Sequence, residues 1–261
     1  MIVVKFGGHA MKDENGAFAK AIAVAQRDGV ELVIVHGGGP QIDAALKSAA
    51  ITSEFVGGFR VTTPEIFDVV ERVLAGEVGP AVAQSLEREG VNAIAISGRK
   101  SGTLFAKPLK ALVDGTPADL GLVGVVTSVN SSSIMNAVAS RQVPVVSPIA
   151  CEDSTDSGLN VNADLAAAAI AGALDAESLI IMTDVAGIYR SWPDKSSLIS
   201  EISYAELNSL KAGFAEGMAP KVQACLDAID GGAKAVRIID GTDPSAFAAA
   251  LGNSGGTLVR K

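Results

Sequence analysis

Short apolar runs rich in β-branched residues alternate with amphipathic stretches along nearly the whole chain. The runs IVVKF, ELVIVHG, AIAIS, LVGVVTSV, VPVVSPI, SLIIMTD and KAVRII predict strands, most of them apolar on both faces, as in a sheet covered on both sides. Between them, AFAKAIAVAQRDG, PQIDAALKSAA and PKVQACLDAIDGG place apolar residues at helical spacing. Such alternation predicts the α/β class, with these runs in a mostly parallel central sheet inside a three-layer αβα sandwich. GRKSGTLFAKPLKALVDGTPADLGLVG breaks the alternation and predicts short antiparallel strands or a hairpin. DSTDSG is a polar loop leading into NVNAD.

Composition narrows the picture. A chain of 261 residues can bury a sizeable core as one large domain or two intimate lobes. Mean hydropathy is +0.35, yet no apolar run approaches the roughly 20 residues of a membrane span. Much of the apolar content is alanine, as in DLAAAAIAGAL, which reads as tightly packed helix. Cys151 and Cys225 are far apart without partnered histidines, so buried thiols are expected rather than a disulfide framework or zinc site. The net charge of −8 argues against a general nucleic-acid binder. An anion would have to be bound by a few placed cations and backbone N–H groups. With no export, lipidation or organelle signal in view, a cytoplasmic location is expected.

The charges and glycines fall at strand ends. In MIVVKFGGHA, Lys5 closes the first apolar run, and Gly7 and Gly8 let the backbone turn closely around a ligand. Open α/β sheets bind ligands outside such ends. HGGGP follows the strand ELVIV and leads into a helix near Pro40. Such a turn can present N–H donors and a helix dipole to an anion, or be only a tight turn. Its spacing fits neither the P-loop nor the dinucleotide fingerprint. Arg60, after Gly57 and Gly58, can fork onto a carboxylate. In NVNAD, Asn162 or Asp164 can cap the alanine-rich helix, and the excess of polar groups there also suits a site. Thr183 and Asp184 end another strand. Lys221 starts a helix beside Pro220, an unfavourable place for a cation unless an anion faces it. Lys5 poses the same problem, and one anion would answer both.

KFGG, HGGGP, GGFRVTT, LGLVGVVTSVN, NVNAD, MTDVAGIY and EGMAPKV follow in an order that resembles the amino-acid kinase superfamily. The likeness is greatest to its members that phosphorylate N-acetyl-L-glutamate, and it covers essentially the whole chain. KFGG and HGGG are shared across the superfamily, whereas NVNAD with RVT and GM-x-PKV is specific to that branch. The resemblance implies one amino-acid kinase domain over 1–261, with an acyl-acceptor lobe (1–176) and a nucleotide lobe (177–261). It implies ATP as donor and N-acetyl-L-glutamate as acceptor, in arginine biosynthesis. Lys5 and Lys221 would flank the transferring phosphoryl group, with Asp164 between them holding both oriented. Gly8 and Gly38 would donate N–H groups to the phosphates. Arg60 and Asn160 would grip the α-carboxylate side of the acceptor, with Gly38 and Gly39 lining its pocket. Asp184, Val185, Gly187, Ile188 and Tyr189, with Gly213, Phe214 and Ala215, would line the nucleotide.

Chemistry agrees with that assignment. A carboxylate acceptor is already deprotonated at neutral pH, so transfer needs positioning and charge stabilisation but no general base. His9 and His36, the only histidines, then need no catalytic role, and His36 is expected to brace the glycine turn. Mg2+ would be held mainly by ATP phosphates and water, without a protein carboxylate cage. Two residues depart from the pattern: Val125 stands where relatives often have an acid, and Trp192 is unusual in its loop, expected at the nucleotide-side surface. The arginine-inhibited hexameric relatives carry an extra N-terminal helix, while this sequence opens on its first strand, so a homodimer insensitive to arginine is expected. A kinase for carrier-bound aminoadipate should show a basic docking rim, which GGFRVTTPEIFD lacks. Aspartate kinase would need a further regulatory domain. A non-catalytic nucleotide-binding protein would be expected to lack a transfer lysine, and both are present.

Overall fold

The computed structural model of the chain describes residues 1–7, 16–214 and 217–261. Gly8, His9 and Ala215 lie outside the described residues. Eight strands form one sheet. In spatial order these are β12 (Glu201–Ser203), β14 (Thr257–Arg260), β13 (Ala235–Asp240), β11 (Ser178–Thr183), β1 (Ile2–Phe6), β2 (Leu32–His36), β8 (Val143–Ser147) and β5 (Ala93–Ser97). From β13 through β5 every pairing is parallel, and β14 turns antiparallel to β13. The central strands β1, β2, β8 and β11 are buried along almost their whole length, which is why they read as unbroken apolar runs. Helices cover both faces: two large apolar clusters flank the sheet, one holding Val3, Val33 and Ile181, the other Val4, Ile34 and Ile180. Alternate residues of one strand therefore enter opposite cores. The fold is the mostly parallel α/β sandwich expected. Among the described residues, no helix is long and apolar enough to cross a membrane.

One strand is placed differently from expectation. LVGVVTSV does not join the central sheet. As β7 (Val123–Val129) it closes a small barrel with β6 (Leu104–Pro108), β9 (Ile149–Glu152) and β10 (Gly158–Val161). The physical reason lies in its second half, where Thr127 and Ser128 are exposed. A strand end open to water does not suit the buried middle of a parallel sheet, and β7 runs antiparallel to β6 in the small barrel. The preceding irregular stretch thus supplies the expected antiparallel partner. A two-stranded hairpin, β3 (Phe55–Val56) and β4 (Phe59–Arg60), stands apart.

Three helical features shape the site. α2 (Gly39–Ser48) starts directly on the glycine turn after β2. α3 (Pro64–Glu71), capped by the Thr63 hydroxyl, runs through a π-helical stretch, 72–78, into α4 (Gly79–Arg88). Pro80 cannot donate back to the preceding turn, and a wider π turn relieves that mismatch. α6 (Ala163–Ala173) and α8 (Ala219–Gly231) cross in close contact through small residues. A Cβ on Gly172 would lie only 2.9 Å from the Gly231 Cα.

Candidate active site

The first turns of α6 and α8 meet the end of β1 at a buried carboxylate. Lys5 Nζ lies 3.0 Å from Asp164 Oδ1 as an ion pair, and Lys221 Nζ donates to Oδ2 at 3.1 Å. Local structure holds all three. Lys5 is the penultimate residue of β1, and a Cβ on Gly7 would come within 2.7 Å of its Nζ. Asn162 caps α6 by accepting from the N–H groups of Asp164 and Leu165. Burial works to raise the Asp164 pKa, but Lys5 and then Lys221 outweigh it and hold the carboxyl below its ordinary value. Asp164 is thus the anion that both lysines lacked in the sequence. Two ammonium groups against one carboxylate leave a formal excess of one positive charge, free to meet a ligand anion.

Next to this triad, the turn after β2 folds over the end of β1, with Gly37 N–H donating to the Phe6 carbonyl at 2.7 Å. Gly38 is buried, and a Cβ there would lie 2.5 Å from Leu74 Cδ2, on the π-helical stretch. Gly39 faces open space. His36 lies beneath the turn, fully buried, with Nδ1 2.8 Å from the Gly37 carbonyl. Burial pushes its pKa down to about 4 against the opposing effect of that bond, so the ring is neutral and Nδ1–H donates. It braces the glycine turn, as expected from the sequence.

Gly38, Gly39, Arg60 and Asn160 come together around one pocket of about 170 Å³, with Ile42 and Leu74 on its apolar side. Asn162 and Ala163, the residues just before Asp164, also line it. Arg60 is buried despite its charge. Its NH2 meets Asp43 Oδ1 at 2.7 Å, its NH1 meets Ser53 Oγ at 2.6 Å, and its Cζ lies over the Phe55 ring, 4.5 Å from the centroid. Asn160 Nδ2 donates to Thr62 Oγ1 at 3.1 Å. Thr62, Asp43 and Leu74 carry no signal in the sequence reading, since hydroxyls and surface acids recur everywhere. A tertiary contact made across 98 residues, as between Thr62 and Asn160, leaves no periodicity.

The residues expected around a nucleotide lie apart from that pocket, beyond the end of β11. Asp184 is exposed and accepts from Thr183 Oγ1 at 3.0 Å, while Val185 and Tyr189 are half-buried. Gly187 and Ile188 turn inward: Ile188 is fully buried and its N–H donates to Thr257 Oγ1 at 2.8 Å. The Tyr189 ring stands edge-on to Trp192 at 5.2 Å, and Trp192 is exposed, as expected. Gly213 is exposed and Phe214 packs partly on the core. Among the described residues no group of three or more His, Cys, Asp or Glu side chains is gathered to hold a metal ion.

Residues 1–240 match the amino acid kinase family. The chain is 46% identical to an acetylglutamate kinase of Nocardia farcinica, over 99% of this chain and 86% of the relative. It is 43% identical to an acetylglutamate kinase of Corynebacterium glutamicum, over 92% of this chain and 82% of that one. It superposes on the structure of smu.665 from Streptococcus mutans with a TM-score of 0.82 and 28% identity, covering 99% of this chain and 98% of that one. An N-acetylglutamate synthase from Neisseria gonorrhoeae, solved with coenzyme A and N-acetyl-glutamate, gives a TM-score of 0.83 at 24% identity. All of this chain and 59% of that one are covered, and this likeness bears on the fold alone.

Proposed function

The chain belongs to the amino acid kinase family, and from that premise we propose that it transfers the γ-phosphoryl group of ATP to the side-chain carboxylate of N-acetyl-L-glutamate. The products are N-acetyl-L-glutamyl 5-phosphate and ADP, in arginine biosynthesis. A carboxylate oxygen bonds to the γ-phosphorus as the bond to the ADP oxygen breaks, and no proton has to move. What the protein must supply is cationic charge at the phosphoryl oxygens and a fixed line of approach.

One observation carries this reading: Asp164 bridging Lys5 and Lys221. Lys5 belongs to the proposed acceptor lobe (1–176) and Lys221 to the proposed nucleotide lobe (177–261), so a single carboxylate aims one ammonium from each side. The pocket beside it suits a small dicarboxylate, since Arg60, Asn160 and the glycine turn all line it. Gly38 would present its N–H to the phosphates; the matching role for Gly8 rests on the resemblance. Asp184, Val185 and Tyr189 offer the accessible nucleotide surface, while Gly187 and Ile188 shape it from behind. Magnesium fits as an ion carried on the ATP phosphates and water, neutralising phosphate charge.

A homodimer is part of the same proposal, supported by large apolar side chains left open at Ile94 on the edge strand β5 and at Met135 on α5 (Ser132–Ala139); light scattering tests it. The activity is tested by trapping acyl phosphate with hydroxylamine across N-acetylglutamate, glutamate, aspartate and N-acetylaminoadipate. Preference for the first is expected. ATP turnover independent of all four acceptors would refute it.

A further inference from the structure

Thr62 follows Arg60 by two residues, is fully buried, and is bonded to Asn160, which with Arg60 lines the acceptor pocket. A threonine hydroxyl has one proton to give and two lone pairs to receive. Here the proton goes to the Arg60 carbonyl at 2.8 Å. The oxygen is then left only its acceptor capacity, and Asn160 Nδ2 donates into it at 3.1 Å. The donations therefore run one way, from Asn160 to Thr62 to the Arg60 carbonyl. Backbone bonds fix the spacing of this relay: Leu122 N–H donates to the Thr62 carbonyl at 2.7 Å, and Asn160 N–H to the Leu122 carbonyl at 2.9 Å. Turning the Asn160 amide over would set its oxygen against the Thr62 oxygen in a buried place, unless the hydroxyl gave up the Arg60 carbonyl.

We propose that Thr62 is a positioning residue which fixes the donor sense of Asn160 toward the acceptor and registers it against Arg60. The inference rests on the acceptor site proposed above. A carboxylate only accepts hydrogen bonds, so an amide gripping it must offer N–H rather than C=O. With one Nδ2 proton spent on Thr62, the second remains for the pocket that Asn160 lines. One buried oxygen thus holds both groups that meet the α-carboxylate, the Asn160 amide directly and Arg60 through its backbone.

The test compares Thr62→Val, which keeps the shape and removes the hydroxyl, with Thr62→Ser, which keeps the hydroxyl. Both are also made in the Asn160→Ala background, and KM and kcat are measured for N-acetylglutamate and ATP by acyl-phosphate trapping. Thr62→Val should raise the KM for N-acetylglutamate about ten-fold, and Thr62→Ser should stay within about three-fold of wild type. The kcat and the KM for ATP should move by less than about two-fold, and in the Asn160→Ala background Thr62→Val should add less than about two-fold. An unchanged KM in Thr62→Val, or its full effect persisting without the Asn160 amide, overturns the inference. So does a Thr62→Ser enzyme with a large rise in KM, a result that can be read even if Thr62→Val does not fold. A wild-type protein that turns over no N-acetylglutamate overturns the acceptor site itself and this inference with it, and is a distinct result.

Discussion

Acidification below about pH 6.5 should cost the folded protein stability through His36. The ring is fully buried with its Nδ1–H committed to Gly37, and its pKa falls from 6.5 to about 4, chiefly through desolvation. Because the folded value is depressed, the unfolded chain takes up the proton first as the pH drops. The stabilisation is therefore complete above pH 6.5 and is lost progressively down to about pH 4. At about 1.4 kcal/mol per pH unit the whole effect is about 3 kcal/mol, of which about 2 kcal/mol is lost between pH 7 and pH 5. Asp164 does not contribute in this window, since its carboxyl is held below the ordinary value and its share is lost only at lower pH. Urea unfolding followed by circular dichroism at pH 7, 6 and 5 gives the slope for wild type and for His36→Asn. The wild type should lose about 2 kcal/mol more than the variant across that range, while His9, present in both proteins, cancels in the difference. Equal slopes would show that the ring takes up its proton in the fold as readily as in the unfolded chain, and the burial reasoning would fail.

Lys5→Ala and Lys221→Ala should each lower kcat about 100- to 1000-fold with the circular dichroism spectrum retained, since Asp164 keeps one ammonium partner in either variant; near-normal turnover in either would end the mechanism. Arg60→Lys should chiefly raise the KM for N-acetylglutamate, because lysine keeps the charge and loses the fork that now reaches Asp43 and Ser53. A larger effect on the KM for ATP would move Arg60 to the nucleotide side. Gly172→Ala should destabilise by about 1–3 kcal/mol, because the new methyl would meet Gly231 backbone rather than a side chain that can move. A melting temperature equal to wild type would show that α6 and α8 separate freely.

The strands and most of the candidate site are legible in the sequence for different reasons. β1, β2, β8 and β11 announce themselves because burial on both faces leaves no polar position in their middles. The meeting of Lys5, Asp164 and Lys221 was expected from the resemblance; residue patterns alone supplied only the unease of two cations at anion-favouring chain ends. Which sheet a strand joins is less legible, since pairing partners are chosen by tertiary contacts. For β7 the hint was present in Thr127 and Ser128, whose polarity does not suit a central parallel strand. The π-helical stretch shows in retrospect only through Gly76, Gly79 and Pro80. Thr62 and Asp43 are illegible because their partners are chosen by the fold, from strands and helices distant in the chain.

The seam between the two proposed lobes has a mechanical consequence. β1 and β11 are paired from Ile2 with Ser178 to Lys5 with Ile181, so the two proposed halves are laminated into one sheet. Swinging one half as a rigid flap would mean tearing those backbone bonds. Rotation of one half against the other has to be taken up as winding or unwinding of a sheet whose strands already turn by roughly 20–25° per step. Lys5 and Thr183 sit on the same rim of that sheet, so each added degree of winding changes the gap between donor and acceptor. On the proposed activity, the β1–β11 seam would act as a torsion bar whose stiffness limits how far that gap can narrow.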